Sequence, residues 1–354
     1  MGMPTSTSRL RRLVDHDDIL YTIEDSAFKK SRILEIDVSS TPYVVTSEMR
    51  ITDPNGVLSS ALETFPPDPI NGTLVNLTNV LNDDMTVNLD PEGIAVSHLG
   101  GFWVVSEGAG TVNDTLKPYA TPNMLLKVSD MAEIEQVIFL PQEANDRQVR
   151  FGLEGVAEQG DYVVAVVQRP WPPETNPRIM IWNQVTGEWL YVFYPLDTVE
   201  SQFLGWVGLS DISPLGNGMF LVLERDNHGG PDAAVKRIYE IDLGSDLGSL
   251  ANGTIISKTL YKDVYDVLAS TSYGMVYEKI EGLAVTAKGE VWMNNDNDGV
   301  DDNSGEQQLW NLGPLVCCQM EGESDSSSAA FVKGAFVSFA VAITTLLAVQ
   351  MCDP

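Results

Sequence analysis

Short apolar runs that end in a polar or charged residue recur along this chain, and each follows a Glu-Gly phrase by a few residues. The phrase is complete at residues 92–96, 154–158 and 281–285, and a degenerate copy with Val207 in place of the glutamate covers 207–211. The apolar runs that follow the copies lie at residues 102–107, 163–169, 220–226 and 291–296. Self-similarity of this kind predicts a repeat architecture.

Segments with alternating apolar and polar residues follow most of these runs, as at residues 124–128 and 135–140. Such alternation is typical of half-buried strands. Four short strands per unit, joined by turns rich in Gly, Pro, Asn and Asp, predict an all-β fold, a β-propeller of four-stranded blades. Residues 21–25 belong to a further unit without a Glu-Gly phrase before it. We therefore expect five to six blades, and the lack of long amphipathic stretches disfavours an α/β fold.

The two ends of the chain differ from the repeats. Residues 1–17 carry three arginines but no apolar stretch of a signal peptide, so we expect a disordered or truncated N-terminus there. The propeller domain is predicted at 18–316, followed by a Ser-rich linker at 317–333. Residues 334–350 contain no charged side chain. The segment 334–351 is therefore predicted to be an apolar helix, either a transmembrane helix or a GPI-attachment signal.

The composition is that of an acidic globular protein. Among 354 residues, 21 are Lys or Arg and 50 are Asp or Glu, which gives a net charge of −29. Such a surface repels nucleic acid and anionic membranes, so we expect membrane contact only through the C-terminal segment. All three cysteines lie after the predicted propeller domain, which excludes a disulfide framework in the repeats. Four N-x-S/T sequons favour an extracellular or cell-surface location, and nothing in the sequence indicates an oligomeric state.

Acidic residues occupy equivalent positions in successive units and form two series. The first, at the start of the predicted inner strands, consists of Glu92, Glu154 and Glu281. The second, at the ends of the apolar runs, consists of Asp25, Glu107, Glu224 with Asp226, and Asp296. Radial repetition brings each series towards one axis, where carboxylates repel one another unless a hard cation lies among them. Without a His/Cys cluster, calcium is the expected ion. The alternative is that these glutamates accept backbone N–H bonds from neighbouring blades.

The densest group of side-chain oxygens lies at residues 294–306. It resembles an EF-hand loop around Asp296, Asp298 and Gly299, but its glutamate, Glu306, comes one residue late, and flanking helices are not predicted. We interpret this segment either as a calcium loop of another geometry, with Asp296 and Asp298 as ligands, or as an Asx-rich turn.

Basic residues are few, and five of them lie in or beside the repeated motifs: Arg169, Arg225, Lys236, Arg237 and Lys279. A guanidinium can hold two phosphate oxygens, although pairing with a glutamate of a neighbouring blade is the alternative. The candidate catalytic residues are Glu224, Arg225, Asp226, Arg237 and Lys279. A G-x-S-x-G motif is absent, and His228 is the one histidine near a motif, so a Ser-His-Asp triad stays a minor alternative to a loop histidine.

Taken together, these phrases resemble the phytase-like family, also described as "esterase-like activity of phytase". The resemblance runs from Leu20 to Gly313 and is carried by residues 21–27, 92–95, 151–157, 205–211, 224–227, 235–239, 279–284 and 296–302. It implies a propeller that hydrolyses phosphoric or other esters, with calcium bridging acidic residues and substrate phosphates. The lead hypothesis is therefore a calcium-dependent phosphoric-ester hydrolase acting on a small phosphorylated molecule outside the cytoplasm. The alternatives are a non-catalytic extracellular propeller with structural calcium and a metal-independent carboxylesterase.

Overall fold

Five β-sheets surround a central axis in the computed structural model of the chain, which describes residues 15–16, 18–24, 29–70, 72, 74–270, 276–296 and 307–316. The first ten strands are β1 (Asp15–His16), β2 (Ile19–Ile23), β3 (Arg32–Asp37), β4 (Val44–Arg50), β5 (Pro91–Val96), β6 (Phe102–Ser106), β7 (Met124–Val128), β8 (Ile134–Phe139), β9 (Leu153–Gln159) and β10 (Tyr162–Val167). The other ten are β11 (Arg178–Asn183), β12 (Trp189–Phe193), β13 (Val207–Gly216), β14 (Met219–Asp226), β15 (Lys236–Asp242), β16 (Thr254–Ile255), β17 (Thr259–Asp263), β18 (Ile280–Val285), β19 (Glu290–Asn295) and β20 (Leu309–Pro314).

Each sheet is one blade, and the blades follow the order of the chain. Blades 1, 2 and 4 have the strand orders β1-β2-β3-β4, β5-β6-β7-β8 and β13-β14-β15-β17. Blade 3 consists of β9 to β12, with β16 added in parallel at its outer edge. Blade 5 has three described strands, β18-β19-β20. The prediction of an all-β propeller is confirmed, and the number of blades is five.

The connections carry the few helices of the fold. Helices α1 (Val57–Thr64) and α2 (Leu77–Val80) lie between blades 1 and 2, and α3 (Gln142–Asn145) lies between blades 2 and 3. Helix α4 (Tyr265–Ala269) precedes blade 5. Leu58 and Leu62 of α1 are buried against the core that blades 1 and 2 share, so this insertion is part of the packed ring.

Apolar layers between neighbouring blades hold the ring together. Ile33 of blade 1 packs in the same core as Ile94 of blade 2, and Trp103 of blade 2 packs with Val163 of blade 3. Blades 3 and 4 share a third layer. Leu20 of blade 1 packs with Trp292 of blade 5, which closes the ring. Every layer buries residues from both facing sheets, which is the arrangement that stabilises a propeller.

The repeated glycine is explained by the close approach of neighbouring inner strands. A Cβ atom on Gly93 would lie 2.5 Å from the backbone oxygen of Glu154, and one on Gly155 would lie 2.6 Å from the Cα of Asp211. Backbone atoms cannot move aside as a side chain can. The Glu-Gly phrase therefore marks the position where one inner strand meets the next.

We expect Gly155→Ala to lower the free energy of unfolding by about 3 kcal/mol, because the added methyl group overpacks two backbones. Gly289→Ala is the comparison, since that site is open and only its φ of 74° opposes alanine, at a cost of about 1 kcal/mol. Urea titration followed by tryptophan fluorescence measures both values. Equal losses in the two variants would contradict the close-packing explanation.

All of these elements lie in the structural unit Met1–Pro314. None of the helices in the described part of the chain could span a membrane. The predicted linker at 317–333 and apolar segment at 334–351 lie outside the described residues, as do nearly all of residues 1–17.

Candidate functional site

Three glutamates from three blades meet near the axis. Glu92 of β5, Glu154 of β9 and Glu281 of β18 are 3%, 1% and 0% exposed. Each offers one carboxylate oxygen, and these three oxygens lie within 4.8 Å of one another. The first acidic series of the sequence is therefore brought together at one point. Three buried carboxylates this close form a strongly negative centre.

A β-bulge places each of these glutamates. In blade 2, Pro91 pairs with Ser106 and Gly93 with Val105, which leaves Glu92 between them as the extra residue of the inner strand. The pairing shifts in the same way at Glu154 and at Glu281. A bulge re-aims the side chain of the extra residue and occurs often beside active sites. An equivalent β-bulge thus presents a carboxylate in blades 2, 3 and 5.

A second group of carboxylates extends the centre on the blade 2 side. Asp90, Glu92 and Glu107 each contribute an oxygen to a cluster of the same dimensions. Glu107 also accepts a hydrogen bond of 2.6 Å from the backbone N–H of Gly152, which links blade 2 to the start of blade 3. Glu92 belongs to both groups and is therefore the carboxylate they share.

Blade 4 supplies a cation instead of a carboxylate. Its bulge falls at Ser210, which therefore occupies the position of the glutamate in blades 2, 3 and 5, so the expectation that Val207 stands there is wrong by three residues. Arg225 of β14 is 2% exposed, and its Nη2 forms an ion pair with Glu281. Its Nε donates to the Ser210 hydroxyl at 3.2 Å. A buried guanidinium thus neutralises part of the negative centre.

These groups line a cavity of about 280 Å³. Its acidic lining residues are Asp90, Glu92, Glu107, Glu154, Glu278 and Glu281. The other lining residues are Arg150, Phe151, Gln168, Trp206, Arg225 and Lys279. A mixed charged lining with two aromatic rings suits a small, polar, charged ligand.

The sequence matches a known family over most of this fold. A family model described as "Phytase-like: Esterase-like activity of phytase" matches residues 11–299. The chain belongs to the phytase-like family. The resemblance found in the repeated phrases is therefore confirmed, and we refer to the five blades as the phytase-like domain.

Solved structures resemble the phytase-like domain only distantly. They include a GH43 protein, BlXynB, from Bacillus licheniformis, with 10% identity and a TM-score of 0.45 over 87% of this chain and 53% of that one. A sucrose-6-phosphate hydrolase from Lactobacillus gasseri matches with 10% identity and a TM-score of 0.41, over 83% and 54%. A luciferin-regenerating enzyme matches with 10% identity and a TM-score of 0.38, over 86% and 77%. The chain spans about half the length of the first two, and no curated protein matches it.

Gln168 is a residue of the central cavity that the sequence did not single out. It lines the cavity, is 6% exposed, and its Nε2 donates to Glu154 at 2.7 Å. Its Oε1 is buried and accepts no hydrogen bond from any described residue. Gln168 lies two residues after Val166, the partner of Gly155, just as Glu107 lies two residues after Val105, the partner of Gly93. This equivalence is visible in the sequence, but an uncharged glutamine does not stand out in a series of acidic residues.

Asp226 holds the loop that follows β14. Its carboxylate accepts hydrogen bonds from the backbone N–H groups of Ala234 and Val235, and it pairs with Lys236 at 2.9 Å. Burial opposes its charge, but Lys236 and these N–H donors outweigh burial and leave the pKa of Asp226 below its ordinary value. Burial also lowers the pKa of Lys236 to about 8. Asp226 and Lys236 therefore form a buried pair outside the cavity lining.

Glu224 and Arg237 lie in a separate cluster at the interface of blades 3 and 4. Glu224 accepts hydrogen bonds from the Tyr194 hydroxyl at 2.8 Å and from Lys258 at 2.6 Å, and burial raises its pKa. Arg237 pairs with Asp197 at 2.6 Å and with nearby acidic groups. Neither residue lines the cavity. Of the five candidate catalytic residues, only Arg225 and Lys279 do.

The remaining candidates occupy different places. Lys279 lines the cavity, and its Nζ lies 3.5 Å from Asp296, which is buried at the end of β19. Asp25 and Asp298 lie outside the described residues, as does most of the oxygen-rich segment 294–306. His228 contacts the carbonyl of Leu204 through Nε2 at 3.0 Å. Within the described chain it has no contact with a serine hydroxyl.

Proposed function

We propose that the phytase-like domain is a calcium-dependent phosphoric-ester hydrolase that acts on a small phosphorylated molecule in the central cavity. The observation that carries this proposal is the convergence of Glu92, Glu154 and Glu281, whose oxygens lie within 4.8 Å of one another. Three buried carboxylates at this separation are costly without a compensating cation.

The donor set fits calcium. Both groups of converging side chains consist of carboxylates alone. Hard oxygen ligands in a cluster of this kind suit Ca²⁺, whereas zinc prefers nitrogen and sulfur. The buried Oε1 of Gln168 adds a neutral oxygen that no described residue uses. Glu92, Glu154 and Glu281 would hold the ion, with Gln168 beside them.

The side chains of the cavity have separate tasks in this proposal. Bound calcium would supply positive charge against the phosphate and act as a Lewis acid. Arg225 keeps Glu281 in place through its ion pair. Lys279 lies in the lining and donates to a phosphate oxygen as a point charge. Glu224 and Arg237 have no part in the proposal, because they lie in the separate cluster.

The proposed location is extracellular or at the cell surface. Asn76, Asn113 and Asn252, the acceptor residues of three described sequons, are all exposed. Glycan attached at these positions after expression in a eukaryotic host, detected by mass spectrometry, would support this location.

A hydrolysis panel tests the function. We expect the full chain to hydrolyse phosphomonoesters in the presence of calcium and to lose at least about 100-fold in rate with a chelator, because the carboxylates hold the ion that faces the phosphate. Acyl esters are included with a serine-directed inhibitor. Cleavage of acyl esters without metal would support the carboxylesterase instead. A calcium-dependent rise in melting temperature without any turnover would support the non-catalytic propeller.

A further inference from the structure

Three guanidinium groups and two aromatic rings pack together at the cavity, and we call this set the guanidinium–aromatic stack. Its members are Arg150, Phe151, Arg169, Trp206 and Arg225. Arg169 lies over both rings, with its guanidinium carbon 4.5 Å from the centroid of Phe151 and 4.8 Å from that of Trp206. Arg150 lies 5.5 Å from the Phe151 centroid, and Arg225 lies 5.1 Å from that of Trp206. The two rings are 5.5 Å apart.

Arg150 and Arg169 differ from every other arginine in the described part of the chain. That part contains eight arginines, and six of them form an ion pair with a carboxylate: Arg32, Arg50, Arg147, Arg178, Arg225 and Arg237. The guanidinium groups of Arg150 and Arg169 have no hydrogen-bond acceptor or carboxylate partner among the described residues. In a chain with 50 acidic residues, two such arginines on one aromatic ring are unusual.

The stack explains how these two side chains stay in place without a carboxylate. A guanidinium packed on an aromatic face is held by the ring, while its N–H groups point outward along its edges. Burial lowers the pKa of Arg169, so the folded chain bears a cost for its charge. An anion that binds to the guanidinium offsets this desolvation cost. The stack therefore resembles a prepared site rather than a structural ion pair.

The position of the stack relative to the cavity matters for its ligand. Arg150 is exposed, and it lines the cavity together with Phe151 and Trp206. Arg169 is not itself among the lining residues, but it packs on the two rings that are, and the guanidinium carbons of Arg150 and Arg169 both lie within 5.5 Å of the Phe151 centroid. Two positive charges match a doubly charged oxyanion better than a singly charged one.

We infer that Arg150 and Arg169 form an oxyanion-binding subsite at the edge of the central cavity, suited to the dianionic phosphoryl group of a small ligand. This goes beyond the proposed function, because binding there requires no turnover. It also replaces Arg237, which lies elsewhere, as the arginine contact to an anion.

Isothermal titration calorimetry with methylphosphonate tests the subsite at a pH above the second pKa of the probe, where it is a dianion, and an ester hydrolase does not cleave its P–C bond. We expect Arg150→Gln and Arg169→Gln each to weaken binding about tenfold in calcium-containing buffer, through loss of charge-assisted hydrogen bonds. Arg169→Lys keeps the charge but loses the planar stack, so an intermediate loss is expected. The matched control is Arg50→Gln, which removes a guanidinium from the outer strand β4. Acetate, with one charge, should bind more weakly than methylphosphonate to the parent.

The outcomes separate this inference from the proposed function. Methylphosphonate binding that the double variant abolishes, in a chain that hydrolyses no ester, would support the subsite and refute the hydrolase. Calcium-dependent hydrolysis together with unchanged binding in the double variant would refute the subsite alone. Unchanged melting temperatures in the variants would show that lost binding does not come from unfolding.

Discussion

Glu92→Gln is expected to reduce calcium-dependent ester hydrolysis by about 100-fold or more, which is the largest effect that a single substitution at this site should have. Glu92 belongs to both groups of converging carboxylates, so its loss weakens each of them. Substituting even indirect contacts to a metal site costs about 10- to 100-fold, and a direct ligand should cost at least as much. Initial rates measured across a calcium titration give both the maximal rate and the apparent affinity for calcium.

The Glu92→Gln variant should melt at a higher temperature than the parent without calcium and at a lower temperature with calcium. Without calcium, glutamine removes one of the charges that repel in the buried centre, so its melting temperature should exceed that of the parent. With calcium, the parent should gain more from binding and become the more stable of the two. Glu133→Gln, at an exposed position where the side chain has no partner among the described residues, is the control for charge alone and should leave both temperatures unchanged. Parallel curves for the parent and Glu92→Gln would show that no cation is held there.

Arg225→Met is expected to destabilise the calcium-free protein by about 3–5 kcal/mol, because it leaves Glu281 buried without its cation. Arg225 is 2% exposed and Glu281 is 0% exposed, so water cannot take over the role of the guanidinium. Calcium should restore part of the loss by neutralising the same carboxylates. Urea unfolding with and without calcium measures the effect, with Arg50→Met as the exposed comparison. A loss below about 1 kcal/mol would mean that Glu281 does not depend on this ion pair.

The ring of blades could be predicted because a recognisable sequence phrase recurs in the inner strands. The Glu-Gly phrase marks the inner strand of blades 2, 3 and 5, and the glycine is required where neighbouring backbones meet. The inserted helices α1 and α2 have no counterpart in other blades, so the repeat carried no information about them. Strand β16 has two residues and exists only through its pairing with β12, which depends on tertiary structure.

The site could be predicted only in part, since repeat positions identify residues but not the faces they occupy. Glu92, Glu154 and Glu281 came together as expected from radial repetition. Glu224 and Arg225 are neighbours in a strand, and successive side chains point to opposite faces. Arg225 therefore reaches the cavity while Glu224 joins the Tyr194 cluster. The bulges had no sequence signal, because they are defined by the register of the partner strand.

The bulges also bear on how this site could arise and disappear. In blade 2, the residues on either side of Glu92 pair with adjacent residues of β6, so the ladder is continuous without it. The carboxylate is thus an insertion into a strand that is already complete. A lineage could lose the carboxylate by deleting one codon and keep the ring, or gain one in another blade by inserting a codon. The scaffold and its carboxylate centre can therefore evolve separately, one residue at a time.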